Sequence, residues 1–297
     1  MNIFSPPTLI LPEAQGQDYA LLDSGDGYKW EQFGPYSFVR PEPQALWRPQ
    51  RSRADWEAAE GFFQGADAED RGRWQLHPDL PPRWPLQRGP LRFWVEPTPF
   101  RHFGVFPEQA THWDWMVERV RGASRPLNVL NLFGYTGVAS LAVAQAGAQV
   151  THVDASKKVI AWARENQTLS ELDDRPIRWL VDDALKFVQR EARRGSQYDG
   201  LIIDPPKFGR GPKGEVWKLD EQLPTLLDAC RELLSPQPVF VVLTAYAIRA
   251  SALSLGYALA DMCAEYGGSV EAGEMVLVEA SAERRLSTAI FARWSKE

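Results

Sequence analysis

Residues 201–209 read "LIIDPPKFG", an apolar run that ends on Asp204 and is followed at once by Pro205 and Pro206. Proline fixes φ and lacks an amide donor, so two in succession cannot continue a central strand or build the interior of a helix. A buried strand therefore stops at Asp204, leaving a carboxylate followed by stiffened backbone. Two readings compete: a plain strand stop, or one wall of a reactive site. The other strand ends bear on the choice.

From residue 108 onward the sequence alternates strand and helix. "LNVLNLF" (127–133) reads as a buried strand with a helix over about 138–146 behind it. "AQVTHVD" is the next strand, then a helix that Ser156 caps and that runs to about Gln167. "PIRWLVD" and "YDGLIID" follow as strands, with "ALKFVQREARR" helical between them and "LPTLLDACRELL" helical after. "PVFVVLTA" is a fifth strand, backed by a helix over about 250–265, and "EMVLVEA" and "RLSTAIFARW" close the chain without a helix between them. Such alternation predicts a doubly wound parallel α/β sheet of seven strands. The terminal pair predicts a hairpin with the last strand antiparallel.

Residues 1–107 have a different character. Tryptophan and proline are dense, and short aromatic or β-branched runs ("YALLD", "YKWEQF", "YSFVR", "LRFWVEP", "RHFGVF") lie between turn signals such as "DSGDG" at 23–27. One short helix is expected over 54–63. The sequence thus divides into a β-rich N-terminal domain, 1–107, and an α/β domain, 108–297.

In an open α/β sheet, ligands bind beyond the carboxyl ends of the strands. Here the first end carries Asn131, Phe133, Gly134, Tyr135, Thr136 and Gly137; the second Asp154; the third Asp182 and Asp183; the fourth Asp204. Each alone has a bland explanation, since an isolated G-x-x-G or a helix-capping Asp is common. Four consecutive ends together describe a nucleoside site. Gly134 and Gly137 allow a tight turn into a helix whose free amides favour an anion. Asp154, twenty residues beyond Gly134, suits ribose hydroxyls, and Asp182 or Asp183 suits a base amino group. "GYTGVAS" lacks the third glycine of a dinucleotide fingerprint, and "GRGPKGE" resembles a phosphate loop only in composition. S-adenosylmethionine, whose tail is an amino acid, fits better.

These residues are recognisable. "NLFGYTG", "VDASKK", "DDALKFV", "DPPKFGRGPKGEVWKL" and "LSTAIFARW" resemble the class I S-adenosylmethionine-dependent methyltransferase family that includes the bacterial 23S ribosomal RNA methyltransferases of the I and K type. The likeness covers roughly 90–297, and the long run after Asp204 is its specific part. The N-terminal β region looks like a shortened relative of the small domain such enzymes carry, with no PUA-like RNA-binding domain recognisable ahead of it. The resemblance implies that 133–137 hold the methionine moiety, Asp154 the ribose and Asp182 or Asp183 the adenine, with Gln109 close to the cofactor.

For the chemistry, Asp204, Pro205 and Pro206 can accept N–H groups of an amino nucleophile and point its lone pair at the methyl. Amino-methylating enzymes place an aromatic directly after the two prolines; here Lys207 intervenes and the ring is Phe208, a candidate for stacking on a base. Methylation at carbon 5 of cytosine needs a cysteine nucleophile, and Thr244-Ala245-Tyr246 stands where it would be expected. The expectation is therefore a nitrogen acceptor, on rRNA-like RNA, without a covalent cysteine intermediate. A protein or small-molecule acceptor is the alternative, and a non-catalytic cofactor-binding protein a third reading.

Bulk properties set the frame. The chain has 297 residues, 44% hydrophobic and 24% charged, with net charge −6. That is a folded globular composition with no global attraction to nucleic acid. RNA contact would need a local patch, and 71–101 offers Arg71, Arg73, Arg83, Arg88, Arg92 and Arg101 interleaved with Trp74, Trp84 and Trp94; Lys207, Arg210 and Lys213 offer another. Tryptophans at strand spacing are also what a small β core uses. No apolar run approaches the roughly 20 residues of a membrane span, no secretory signal is visible, and the two cysteines, Cys230 and Cys263, lack metal-type spacing. A reduced, cytoplasmic setting without metal or membrane is expected.

Overall fold

The computed structural model describes residues 9–12, 18–65, 72–246 and 248–296. They fall into two compact units. One holds 9–11, 111–275 and 288–296; the other holds 12–110 and 276–287. The units are thus interleaved, whereas the sequence reads as two successive blocks meeting at 107/108.

Strand β1 (Leu9–Pro12) lies at the edge of the large sheet. The N-terminal unit then builds a five-stranded sheet from β2 (Tyr19–Gly25), β3 (Tyr28–Phe33), β4 (Tyr36–Pro41), β5 (Gly61–Gln64) and β6 (Arg73–Leu76). Of the turn signal at 23–27, residues 23–25 belong to β2 and the β2–β3 turn is Asp26-Gly27, with φ of 51° and 82°, the left-handed pair that a two-residue hairpin requires. Helix α1 covers only Arg53–Glu57, capped by Ser52 and Asp55. The expected continuation to 63 is instead strand β5: at Gly61 a Cβ would meet the Phe38 ring at 2.7 Å, so the chain leaves the helix to pair tightly in the sheet. Strands β7 (Trp84–Arg88) and β8 (Leu91–Val95) form a separate antiparallel pair. "RHFGVF" at 101–106 is not a strand, because Arg101 and Gly104 take left-handed φ of 57° and 87°.

The core of this unit is aromatic. Phe33 stacks on Phe103 at 4.3 Å and Phe38 on Trp84 at 5.5 Å, while Trp74 meets Phe38, Phe63 and Phe103 edge-on. Two tryptophans of the proposed RNA-binding segment are therefore packing residues. Burying each such ring contributes about 1.5–3 kcal/mol. Trp94 is half-buried with Arg83 over its ring, Arg101 donates to the Pro41 carbonyl, and Arg73 and Arg92 are exposed. Arg71 lies outside the described residues. The fully buried Asp23 accepts from the amides of Gln50 and Arg51, from Trp56 Nε1 and from Ser281 Oγ, and Glu279 accepts from the amide and hydroxyl of Ser24. Residues 276–287 are thereby hydrogen-bonded within this unit.

The second unit begins with α2 (Ala110–Gly122) and continues as β9 (Asn128–Leu132), α3 (Val138–Gln145), β10 (Gln149–Asp154), α4 (Lys157–Leu169), β11 (Ile177–Val181), α5 (Ala184–Arg193) and β12 (Gly200–Ile203). A small hairpin follows, β13 (Phe208–Arg210) and β14 (Val216–Lys218), then α6 (Leu219–Arg231), β15 (Phe240–Ala245), α7 (Ala252–Cys263), β16 (Ser269–Val278) and β17 (Arg285–Ser295). The large sheet has the order β1-β16-β17-β15-β12-β9-β10-β11, with β9, β10, β11, β12 and β15 parallel and β17 antiparallel to β15. This is the predicted doubly wound sheet with one further edge strand. Every residue of β12 and β15 is buried, as expected for strands covered by helices on both faces. Ser156 caps α4 as read from the sequence, its Oγ accepting from the amide of Val159.

Candidate active site

The strand order reverses at β9, with β10 and β11 on one side and β12 and β15 on the other, and such a switch point opens a crevice at the carboxyl ends. The register places the site residues together. Leu132 lies beside Val153 and Ile203, so the next residues, Phe133, Asp154 and Asp204, emerge at one level. Asp154 pairs with Val181, which puts Asp182 one step further along the same edge.

The loop after β9 is held in an unusual conformation. Phe133 and Tyr135 have φ of 56° and 52°, left-handed values that cost a bulky residue about 1–3 kcal/mol each. The Gly134 amide donates to the Val153 carbonyl, and the Tyr135 amide donates to Asp154 Oδ2 at 3.0 Å. Asp154 Oδ1 accepts from the Ser156 amide at 2.9 Å. Burial pushes the Asp154 carboxyl above its usual range against these donors.

Beneath the loop is a polar layer of which the sequence singled out Asn131 and Thr136 but not Ser140, His152 or Asn166. Asn131 is 1% exposed and donates to Ser140 Oγ, which shares a 2.9 Å hydrogen bond with His152 Nδ1. Thr136 is also buried, and its carbonyl accepts from Asn166 Nδ2. A Cβ on Gly134 would sit 2.3 Å from the His152 ring, and one on Gly137 (φ +85°) would sit 2.8 Å from Trp179. Both glycines are thus fixed first by what lies under them. The available signal was polarity out of place: Ser140 in "VASLAVAQ" and His152 in a buried strand. Gly137 caps α3 with no side-chain hydrogen bond to its first turn.

At the third strand end, Asp182 Oδ1 accepts from the Asp183 amide and Oδ2 pairs with Arg190. Asp183 caps α5 through Oδ1 and the Lys186 amide, while its Oδ2 faces Gly211 of the β13–β14 turn. At the fourth, Pro205 is buried and the Pro206 carbonyl accepts from Trp217 Nε1 at 2.7 Å. Trp217, missed in the sequence, is 4% exposed, with its ring 5.0 Å from that of Phe133. Phe208 is 55% exposed, on the opposite face of the hairpin from Trp217. Gln109 ends the Pro107–Gln109 turn and belongs to the N-terminal unit.

The sequence profile of an S-adenosylmethionine-dependent methyltransferase family matches residues 71–263. The chain belongs to that family. Its cofactor is S-adenosylmethionine. This methyltransferase superposes on the crystal structure of the SAM-dependent methyltransferase from Agrobacterium tumefaciens with a TM-score of 0.94 and 51% identity, over 99% of this chain and 95% of that one. A candidate SAM-dependent methyltransferase from Streptococcus mutans shares the fold at 16% identity, with a TM-score of 0.73 over 95% of this chain and 76% of that one. Among curated proteins, the ribosomal RNA large subunit methyltransferase K/L of Shewanella sp. (strain ANA-3) is 38% identical over 116 residues, and that of Chromohalobacter salexigens 33% identical over 132. These alignments cover 38% and 44% of this chain but only 16% and 17% of the relatives. Among the described residues no helix is long and apolar enough to cross a membrane, and no group of three or more His, Cys, Asp or Glu could hold a metal ion.

Proposed function

We propose that this methyltransferase modifies a nitrogen on RNA, of the ribosomal RNA class, without a covalent cysteine intermediate. The observation that carries the reading is Asp204-Pro205-Pro206 at the end of β12, level with the loop after β9 and braced by Trp217. The naming of the curated relatives supports the substrate class.

The residues present fit the cofactor. The first-turn amides of α3, to which the N-cap Gly137 offers no side-chain acceptor, suit its carboxylate. Asp154 accepts from the Tyr135 amide on Oδ2 and the Ser156 amide on Oδ1, with the Ala155 amide also directed at it, and its remaining acceptor capacity suits the ribose hydroxyls. Asp183 Oδ2, which accepts no hydrogen bond from the described residues, suits the adenine amino group. S-adenosylmethionine supplies an electrophilic methyl on a sulfonium. The protein's task is then to orient the nucleophile and exclude water. The Asp204 carboxylate and the Pro205 carbonyl accept the two N–H groups of an exocyclic amine, turning its lone pair to the methyl. The Pro206 carbonyl is engaged by Trp217 and serves as the brace.

Cys230 lies within α6 and Cys263 ends α7, both fully buried. Burial pushes both thiols up, Cys263 to about 12, so neither supplies the thiolate that carbon-5 chemistry needs.

The test is transfer of tritiated methyl from S-adenosylmethionine to RNA, protein and metabolite fractions of cells lacking the gene. Label in RNA, released on digestion as an N-methylated nucleoside, is expected. Label in protein or metabolites alone would overturn the substrate class. Recovery of 5-methylcytosine, abolished by Cys230→Ser or Cys263→Ser, would overturn the chemistry.

A further inference from the structure

The β13–β14 hairpin is built as a platform, and its outer face has no role in the site described above. Its register pairs Phe208 with Lys218, Gly209 with Trp217 and Arg210 with Val216. Alternation along a strand sends neighbours to opposite faces. Trp217 points inward and is buried, while Phe208, Arg210, Val216 and Lys218 are all exposed. Phe208 at 55% and Val216 at 46% are large apolar side chains left open to water on a ribbon of only two strands.

The ribbon is nevertheless firmly mounted. Trp217 Nε1 donates to the Pro206 carbonyl, the Leu219 amide to the Lys207 carbonyl and the Gly211 amide to the Glu215 carbonyl. Lys186 of α5 pairs with the Glu215 carboxylate at 2.8 Å, and this hydrogen bond is the main reason the carboxyl is held down at about 2. Fixing the ribbon in advance lowers the ordering cost of any partner it binds.

Its charge is one-sided. Lys218 pairs with Glu221, but Lys207, Arg210 and Lys213 make no ion pair among the described residues, in a chain whose net charge is −6. Exposed ring and unpaired cations side by side match single-stranded nucleic acid, whose bases stack and whose phosphates need counter-charge. An acidic protein surface would use the cations but not the ring. The hairpin starts four residues after Asp204, at most about 14 Å of extended chain, within reach of nucleotides next to a base held at Asp204.

We propose that this hairpin binds the single-stranded RNA flanking the nucleotide to be methylated, with Phe208 on its outer face stacked on a neighbouring base, and with Arg210 on the same face, Lys207 at the base of the ribbon and Lys213 in its turn on phosphates. The inference rests on the reading of RNA as substrate.

The experiment titrates the full-length protein with a fluorescein-labelled, unstructured RNA oligonucleotide over a range of salt concentrations, and separately measures S-adenosylmethionine affinity as a check on folding. Wild-type affinity should fall as salt rises. The triple variant K207A/R210A/K213A should flatten the slope of log K against log salt by about 2, at roughly 0.7 per phosphate contact on a single strand. Phe208→Ala should weaken binding about 5- to 150-fold and leave the slope unchanged. Both variants should keep wild-type S-adenosylmethionine affinity. A wild-type protein that methylates and binds RNA while the variants match it in affinity and slope would overturn the hairpin assignment alone. A wild-type protein that neither binds nor labels RNA would overturn the substrate reading, and the hairpin assignment with it.

Discussion

The indole Nε1 of Trp217 donates to the carbonyl of Pro206 at 2.7 Å, which ties the β13–β14 hairpin back to the strand-ending prolines. Trp217→Phe keeps most of the ring and removes the donor. The lost bond should cost about 0.5–1.5 kcal/mol in chemical denaturation. If Trp217 positions the Asp204-Pro205 pair, kcat should fall roughly tenfold, the effect of about 1.4 kcal/mol at the transition state, with KM and cofactor affinity little changed. Reduced stability with unaltered kcat would leave Trp217 a packing residue only.

Asp154 ties the Tyr135 amide to the end of β10 and is the proposed ribose acceptor. Asp154→Ala should lower S-adenosylmethionine affinity by at least about tenfold, since hydrogen bonds to charged groups are worth about 1.5–3 kcal/mol. Calorimetric titration measures it directly. Unchanged affinity would remove the ribose assignment.

Gly134 lies against the His152 ring, with 2.3 Å available to a Cβ. Gly134→Ala should destabilise by about 1–3 kcal/mol through overpacking. In a His152→Ala background the added cost should shrink, giving a coupling above about 0.5 kcal/mol in a four-protein cycle. Additive effects would mean that the glycine is required for another reason.

His112 and His152 are fully buried, and burial lowers both to about 3 from an ordinary 6.5. The unfolded chain therefore takes up protons first as pH falls. The stability contribution is complete above about 6.5 and drains away toward 3, at about 1.4 kcal/mol per pH unit per histidine. Neither ring nitrogen of His112 has a hydrogen-bond partner among the described residues, and the ring meets Phe291 edge-on. His112→Phe should reduce the acid slope by one histidine's share without destabilising at neutral pH. Urea midpoints from pH 4 to 7 test this, and an unchanged slope would refute it.

The α/β half was legible because its signals are long and periodic: buried strands of one character, helices of another, and polar residues where each strand stops. Asp154, Asp182 and Asp204 could be placed on one edge from strand ends alone. Short or left-handed elements were not legible. The three-residue strands 208–210 and 216–218 are too brief to show alternation, so Phe208 could be named but not assigned a face. Arg101 and Gly104 break a run whose composition reads as strand. Trp74 and Trp84 show why arginine interleaved with tryptophan is ambiguous: here the rings fill a small core. The layer of Asn131, Ser140 and His152 joins three separate elements, a proximity no local pattern encodes.

Strands β16 and β17, 10 and 11 residues long, leave the large sheet's unit at Met275 and re-enter it at Thr288. The turn between them carries Glu279 and Ser281, hydrogen-bonded to Ser24 and Asp23 near the other end of the chain. A break at 110/111 would therefore free neither unit whole. The first fragment would lack two partners of its own buried residues, and the second would keep a buried carboxylate stripped of its donors. The two units are consequently inherited together wherever the exchange falls between them in sequence: a gene exchange with its one junction at 110/111 passes on neither of them intact.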